Sequence, residues 1–114
     1  MGAITTHVLD TSRGRPASGV PVVLEMRSGG NEWKVVGKGA TDADGRLTNL
    51  LPAGSPLEAG TYRLTFDSGA YFRAQNVESF HPQVAVIFAV RDAAQHYHVP
   101  LLLSPYGYTT YRGS

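Results

Sequence analysis

The sequence contains no cysteine, which excludes disulfides and cysteine-ligated metals as sources of stability. It also lacks a run of about eighteen or more apolar residues, the length of a membrane span, so no membrane partner is expected. Ten lysines and arginines stand against nine aspartates and glutamates. The basic residues are scattered along the chain, which argues against nucleic acid as a partner. The first residues do not show the pattern of a signal peptide, so a cytoplasmic location is expected.

A chain of 114 residues is long enough for one well-packed core, and a single domain spanning residues 1–114 is expected. Short stretches in which apolar and polar residues alternate are separated by glycine, proline and aspartate, a pattern typical of strands and turns. The predicted strands are 4–9, 20–26, 33–38, 46–48, 61–66, 84–90, 96–103 and 108–112.

One short helix is predicted over residues 70–75, because Asp67 and Ser68 precede it and both can cap a helix N-terminus. The apolar run at 84–90 predicts a buried strand. Pro100 lies inside a predicted strand although it cannot donate to a ladder, so a distorted or bulged ladder is expected there. The fold class indicated is all-β, an antiparallel sandwich of about seven to eight strands with one short helix.

The segment 96–103 combines strand periodicity with histidines. His96, His98 and Pro100 alternate with apolar residues, so they share one face of the strand. The sequence Ser-Pro-Tyr-Gly at 104–107 then predicts a tight turn, and 108–112 predicts the second strand of a hairpin. The first strand carries another histidine, His7, on the face opposite Val8.

These residues carry a resemblance to a known family. The sequences His-Tyr-His-Val-Pro-Leu-Leu-Leu-Ser-Pro at 96–105 and Tyr-Arg-Gly-Ser at 111–114 resemble those of the 5-hydroxyisourate hydrolases of the transthyretin family. The tetrapeptide distinguishes these hydrolases from the hormone-carrying transthyretins. The resemblance extends over nearly the whole chain. It implies a transthyretin-like sandwich, a small-molecule substrate, no cofactor or metal, and a homotetramer with sites at subunit interfaces.

The reaction implied by the resemblance is the hydrolytic opening of 5-hydroxyisourate to 2-oxo-4-hydroxy-4-carboxy-5-ureidoimidazoline in urate catabolism. Such chemistry needs a base near neutrality and a positive charge where oxygen becomes anionic. The resemblance implies His7, Arg46, His98 and Ser114 as catalytic residues, and His7, Arg46 and Tyr111 as substrate-binding residues. Either histidine could be the base. The chain end, packed near the second hairpin strand, is expected to lie close to the site.

Two other functions remain to be compared with this one. His7, His96 and His98 could hold zinc in a cyclic amide hydrolase and leave a coordination position for water. Alternatively, the chain could be a non-catalytic, transthyretin-like ligand carrier. His96 and His81 are otherwise interpreted as surface histidines, and Arg112 as a structural residue because it alternates with Tyr111.

Overall fold

The computed structural model describes residues 3–114, so the first two residues of the expected domain lie outside the described part. Within these residues nine strands form two layers, as the sandwich prediction requires, and two of the nine are only two residues long. The strands are β1 Ala3–Asp10, β2 Arg15–Pro16, β3 Pro21–Ser28, β4 Glu32–Ala40, β5 Arg46–Leu47, β6 Gly60–Phe66, β7 Val84–Val90, β8 His96–Leu103 and β9 Tyr108–Thr110.

The first sheet has the order β2-β1-β8-β9, with β5 also paired to β1, and the second has the order β4-β3-β6-β7. All pairs are antiparallel except β1 and β8, which run parallel over their whole length. Parallel neighbours require a long connection. The chain therefore builds the entire second sheet before β8 returns beside β1.

The core lies between the two sheets and follows the period-two alternation of the strands. Leu24, Leu64, Val8 and Leu101 are completely shielded from solvent. Each such side chain contributes about 1.5–3 kcal/mol by leaving water. Because alternate residues of β1 and β8 are committed to this core, the remaining ones face outward together.

The helix α1 spans Ser68–Arg73, and the carboxylate of Asp67 accepts a hydrogen bond from the backbone N–H of Ala70, as the capping prediction requires. The hydroxyl of Tyr71 donates to the fully buried carboxylate of Asp10 at 2.7 Å, which fastens the helix to the end of β1. Burial and the hydrogen bond to Asp10 raise the pKa of Tyr71. In residues 3–114 no helix has the length and apolar character needed to cross a membrane.

The prediction that β7 is buried is wrong for one of its faces. Val84 and Val90 are in the core, but Ile87 is 60% exposed. β7 is an edge strand of its sheet and pairs only with β6. An apolar run cannot by itself distinguish a strand covered on both faces from an edge strand with one open face.

The ladder around Pro100 is interrupted rather than bulged. The pairing of β1 with β8 keeps one register through Pro100, and β9 pairs regularly with Leu101 to Leu103. The backbone pairing then skips Pro100 and resumes in the same register as an isolated bridge between His98 and Gly113. Proline has no N–H to donate to the ladder. The carbonyl of Pro100 accepts a hydrogen bond from the side-chain hydroxyl of Thr110.

Candidate active site

The parallel pairing of β1 and β8 brings the predicted site residues together. Thr5 lies opposite His98, and His7 lies opposite Pro100. Residues paired across a ladder point to the same side of a sheet, so His7 and His98 share the face that is turned away from the core. The period-two prediction for both strands is therefore confirmed, and the register supplies their proximity.

Arg46 joins this face through β5, where it is the antiparallel partner of His7. A tight turn directs it there. The carboxylate of Asp42 accepts hydrogen bonds from the backbone N–H groups of Asp44 and Arg46. Gly45 has φ of 77°, and an added Cβ would collide with the carbonyl oxygen of Val8. Only glycine allows the turn to approach β1 so closely, and this approach places the exposed Arg46 beside His7.

His98 is held by a hydrogen bond of 2.8 Å between its Nδ1 and the hydroxyl of Thr5. Partial burial lowers the pKa of His98, and its electrostatic interactions with His7, His96 and Arg46 lower the pKa further. His98 is therefore neutral at neutral pH. With Nδ1 occupied by Thr5, its Nε2 is the nitrogen available to a substrate or water.

His7 is oriented by the turn that carries Arg46. Its Nε2 lies 2.8 Å from the carbonyl oxygen of Asp44. A carbonyl can only accept, so Nε2 carries the hydrogen and donates it. Nδ1 is then the nitrogen of neutral His7 that can accept a proton.

The C-terminal segment packs directly against His98. The backbone N–H of Gly113 donates to the carbonyl of His98 at 2.8 Å. A Cβ at Gly113 would lie 2.7 Å from Cδ2 of His98 and 3.1 Å from Cγ of Pro100. Such distances are too short for a side chain, so the third residue of the Tyr-Arg-Gly-Ser sequence gives the imidazole its space.

Arg112 lies on the opposite side of this segment, in agreement with its predicted structural role. Its guanidinium carbon lies 4.5 Å from the centre of the Tyr97 ring. The same group donates to the side chain of Gln95 at 3.0 Å. These contacts fasten the segment to the beginning of β8 and thereby support the position of Gly113.

The positions of Tyr111 and Ser114 differ from those of the cluster formed by His7, Arg46 and His98. Tyr111 is 55% exposed and lines a groove of about 300 Å³ with residues 86–89 of β7. Among residues 3–114 no hydrogen bond joins Tyr111 to His7, Arg46 or His98. Ser114 is exposed just beyond Gly113. Their predicted roles stay predictions.

Thr5 and His96 also belong to the site, in roles that differ from the sequence-based predictions. Thr5 is only 6% exposed, and its hydroxyl also lies 2.8 Å from Nε2 of His96. The sequence suggests His96 only as a zinc ligand or an ordinary surface histidine, and it assigns Thr5 no role. The available signal was that Thr5 shares a strand face with His7, but only the register shows it opposite His98.

The three histidines do not converge on one point where a metal ion could bind. His96 and His98 meet at Thr5, whereas His7 bonds to the backbone of Asp44. Within the described residues, no group of three or more His, Cys, Asp or Glu side chains is arranged to hold a metal ion. The arrangement suits proton transfer and anion stabilisation by the side chains themselves.

Comparison with known proteins agrees with this geometry. The model of the HIUase/Transthyretin family matches residues 4–113. The chain belongs to this family. A curated member, 5-hydroxyisourate hydrolase 2 of Rhizobium meliloti, is 47% identical over 117 residues, and the alignment covers 99% of this chain and 97% of the relative.

Two solved structures of the family show the same architecture. The 5-hydroxyisourate hydrolase of Klebsiella pneumoniae is 36% identical, covers all of both chains and has a TM-score of 0.87. Sea bream transthyretin in complex with thyroxine is 34% identical, covers 97% of this chain and 94% of its own, and has a TM-score of 0.89. Hydrolase and hormone-binding members thus share one fold, and the side chains of the site must discriminate between them.

Proposed function

We propose that this chain is a 5-hydroxyisourate hydrolase, formed by one domain over residues 1–114. The observation that carries the proposal is the meeting of His7, His98 and Arg46 on one open sheet face. A neutral histidine beside a permanent positive charge is what hydrolysis of an imide-like carbonyl requires. The product is 2-oxo-4-hydroxy-4-carboxy-5-ureidoimidazoline.

In the proposed mechanism His98 is the general base. Its lowered pKa keeps it neutral, and Nε2 accepts a proton from water while the water oxygen bonds to the carbonyl carbon of the substrate. The C–N bond of the ring then breaks, and the departing nitrogen receives the proton back from His98. Such proton transfer contributes roughly 10²- to 10⁴-fold to the rate.

Arg46 and His7 bind the substrate in this mechanism. The guanidinium of Arg46 can donate two parallel hydrogen bonds to the planar oxygens of the ring and stabilise the developing oxyanion. His7 presents Nδ1 beside Arg46, because Nε2 is committed to the carbonyl of Asp44. Ser114 is proposed to orient water or a histidine, and Tyr111 to contact the substrate.

A homotetramer with sites at subunit interfaces is part of the proposal. The supporting observations are the open β7 and β9 edges of the two sheets and the solvent exposure of the site face, where Arg46 and His96 are exposed. An edge strand offers unpaired backbone groups to another chain, and a second subunit over the site would exclude water. Light scattering that reports an active monomer at assay concentration would contradict the proposed tetramer.

A cytoplasmic location is also proposed, and cell fractionation tests it.

The experiment for the activity is to generate 5-hydroxyisourate with urate oxidase and to follow its absorbance with and without this protein. We expect faster loss that persists in EDTA. Loss of activity in EDTA and recovery with zinc would support the zinc-dependent cyclic amide hydrolase instead. No acceleration, together with saturable binding of aromatic ligands, would support a transthyretin-like carrier.

A further inference from the structure

The hydroxyl of Thr5 lies between two imidazoles. Its oxygen is 2.8 Å from Nδ1 of His98 and 2.8 Å from Nε2 of His96. Thr5 is buried, whereas His96 is exposed to solvent. A buried threonine therefore connects the proposed base with a histidine that is in contact with solvent.

Hydrogen-bond accounting limits what this threonine can do. A hydroxyl has one hydrogen and two lone pairs, so it can donate to only one of the two nitrogens. A buried hydroxyl hydrogen without an acceptor is costly. In the described part of the chain, the two histidine nitrogens are the hydrogen-bond partners of this hydroxyl. It therefore donates to one histidine and accepts from the other.

We infer that Thr5 is a positioning residue through which His96 sets the tautomer of His98. When Nε2 of His96 accepts from Thr5, the hydroxyl oxygen accepts from Nδ1–H of His98, and Nε2 of His98 keeps its lone pair. When Nε2 of His96 donates, the hydroxyl hydrogen turns to Nδ1 of His98, and Nε2 of neutral His98 carries the proton. The first arrangement makes His98 a base towards the substrate. This role rests on the proposed function.

Protonation of His96 selects the second arrangement, because both nitrogens of an imidazolium donate. The charged groups that face this pair are His7 from β1 and Arg46 from β5, both of which act on His98. Arg112 reaches the backbone carbonyl of His96 from the C-terminal segment. All of them are positive or become positive, so each disfavours a second charge on His98.

Nitrogen-15 NMR of the ligand-free protein tests the inference, because the imidazole nitrogens report directly which one carries the proton. In the wild type we expect Nδ1–H at His98 above neutral pH. Thr5→Val removes the hydroxyl at nearly constant shape, and His96→Phe removes the acceptor while keeping a ring. Both should move the His98 proton towards Nε2. Thr5→Ser retains the hydroxyl and should preserve the wild-type signal.

The rates should follow the spectra. We expect Thr5→Val and His96→Phe to lower kcat by about tenfold or more, which is part of the general-base contribution. Thr5→Ser should keep most of the wild-type kcat. His81→Phe is the matched control, because His81 contacts the rings of Phe80 and Tyr108 instead of Thr5. It should leave the His98 signal and kcat unchanged.

An unchanged His98 tautomer in Thr5→Val and in His96→Phe would overturn the inference. A change in Thr5→Val alone would overturn the coupling to His96. If Thr5→Val fails to fold, the His96→Phe variant, which changes an exposed residue, and the conservative Thr5→Ser variant still decide the question. The spectra need no substrate, so an inactive wild type would refute the proposed function without affecting this measurement.

Discussion

Gly113→Ala perturbs the proposed base without removing any functional group. The new Cβ would lie 2.7 Å from Cδ2 of His98 and 3.1 and 3.3 Å from Cγ and Cδ of Pro100. Carbon atoms prefer a separation of about 3.5–4.0 Å, so either the imidazole or the chain end must move by roughly 1 Å. The imidazole cannot tilt freely, because Nδ1 is bonded to Thr5 at 2.8 Å.

The cost of this movement should appear in catalysis. A displacement of about 1 Å at a reacting group can reduce a rate by about 100-fold, so we expect kcat to fall by about ten- to 100-fold. Stability should change little. Overpacking of a rigid core costs about 1–3 kcal/mol. Gly113 is only half-buried near the end of the described chain, so about 1 kcal/mol and a few degrees in Tm are expected.

Gly107→Ala is the matched control in the same hairpin. A Cβ there meets nothing nearer than the hydroxyl of Ser104 at 3.9 Å, and the variant should keep wild-type kcat. Ring-opening rates and thermal midpoints should be measured at equal protein concentration, because assembly shifts Tm. A Gly113→Ala variant with wild-type kcat would refute the argument that this glycine makes room for the base.

Four further outcomes are expected. Because the pKa of His98 is lowered from its usual 6.5, protonation of His98 should halve kcat/KM only below pH 6.5, and a half-loss above pH 6.5 would contradict protonation of His98 as its cause. Arg46→Lys keeps the charge but loses the paired donors, so kcat/KM should fall about tenfold, and an unchanged value would remove Arg46 from the site. Tyr71→Phe should cost about 1.5–3 kcal/mol in urea unfolding by depriving the buried Asp10 carboxylate of a donor, and a change in kcat as well would show that the helix influences the site. Ser114→Ala should lower kcat about tenfold if the hydroxyl orients a reacting group; wild-type activity would assign Ser114 no catalytic part.

Local patterns were sufficient for much of the fold. The bounds of β7 and β8 agree with prediction, because each is a run with clear strand character between turn residues. The cap of α1 at Asp67 was also predictable, since an aspartate at that place satisfies a free backbone N–H. These features depend only on neighbours in sequence.

Features that depend on distant pairing were not predictable in the same way. Periodicity assigns His7 and His98 to strand faces, but the parallel register of β1 and β8 determines that they are close. The same register turns Thr5 into the partner of two histidines. The open face of β7 was missed because its apolar residues, such as Ile87, have the composition of a buried strand.

The most direct test of the central claim compares the wild type with His98→Gln in one assay of freshly generated 5-hydroxyisourate. Glutamine retains a polar side chain but cannot accept a proton at neutral pH. We predict that the wild type accelerates ring opening and that the variant, still folded and assembled, loses about 100-fold or more of that acceleration. Equal rates for the two proteins would contradict the assignment of His98 as the base.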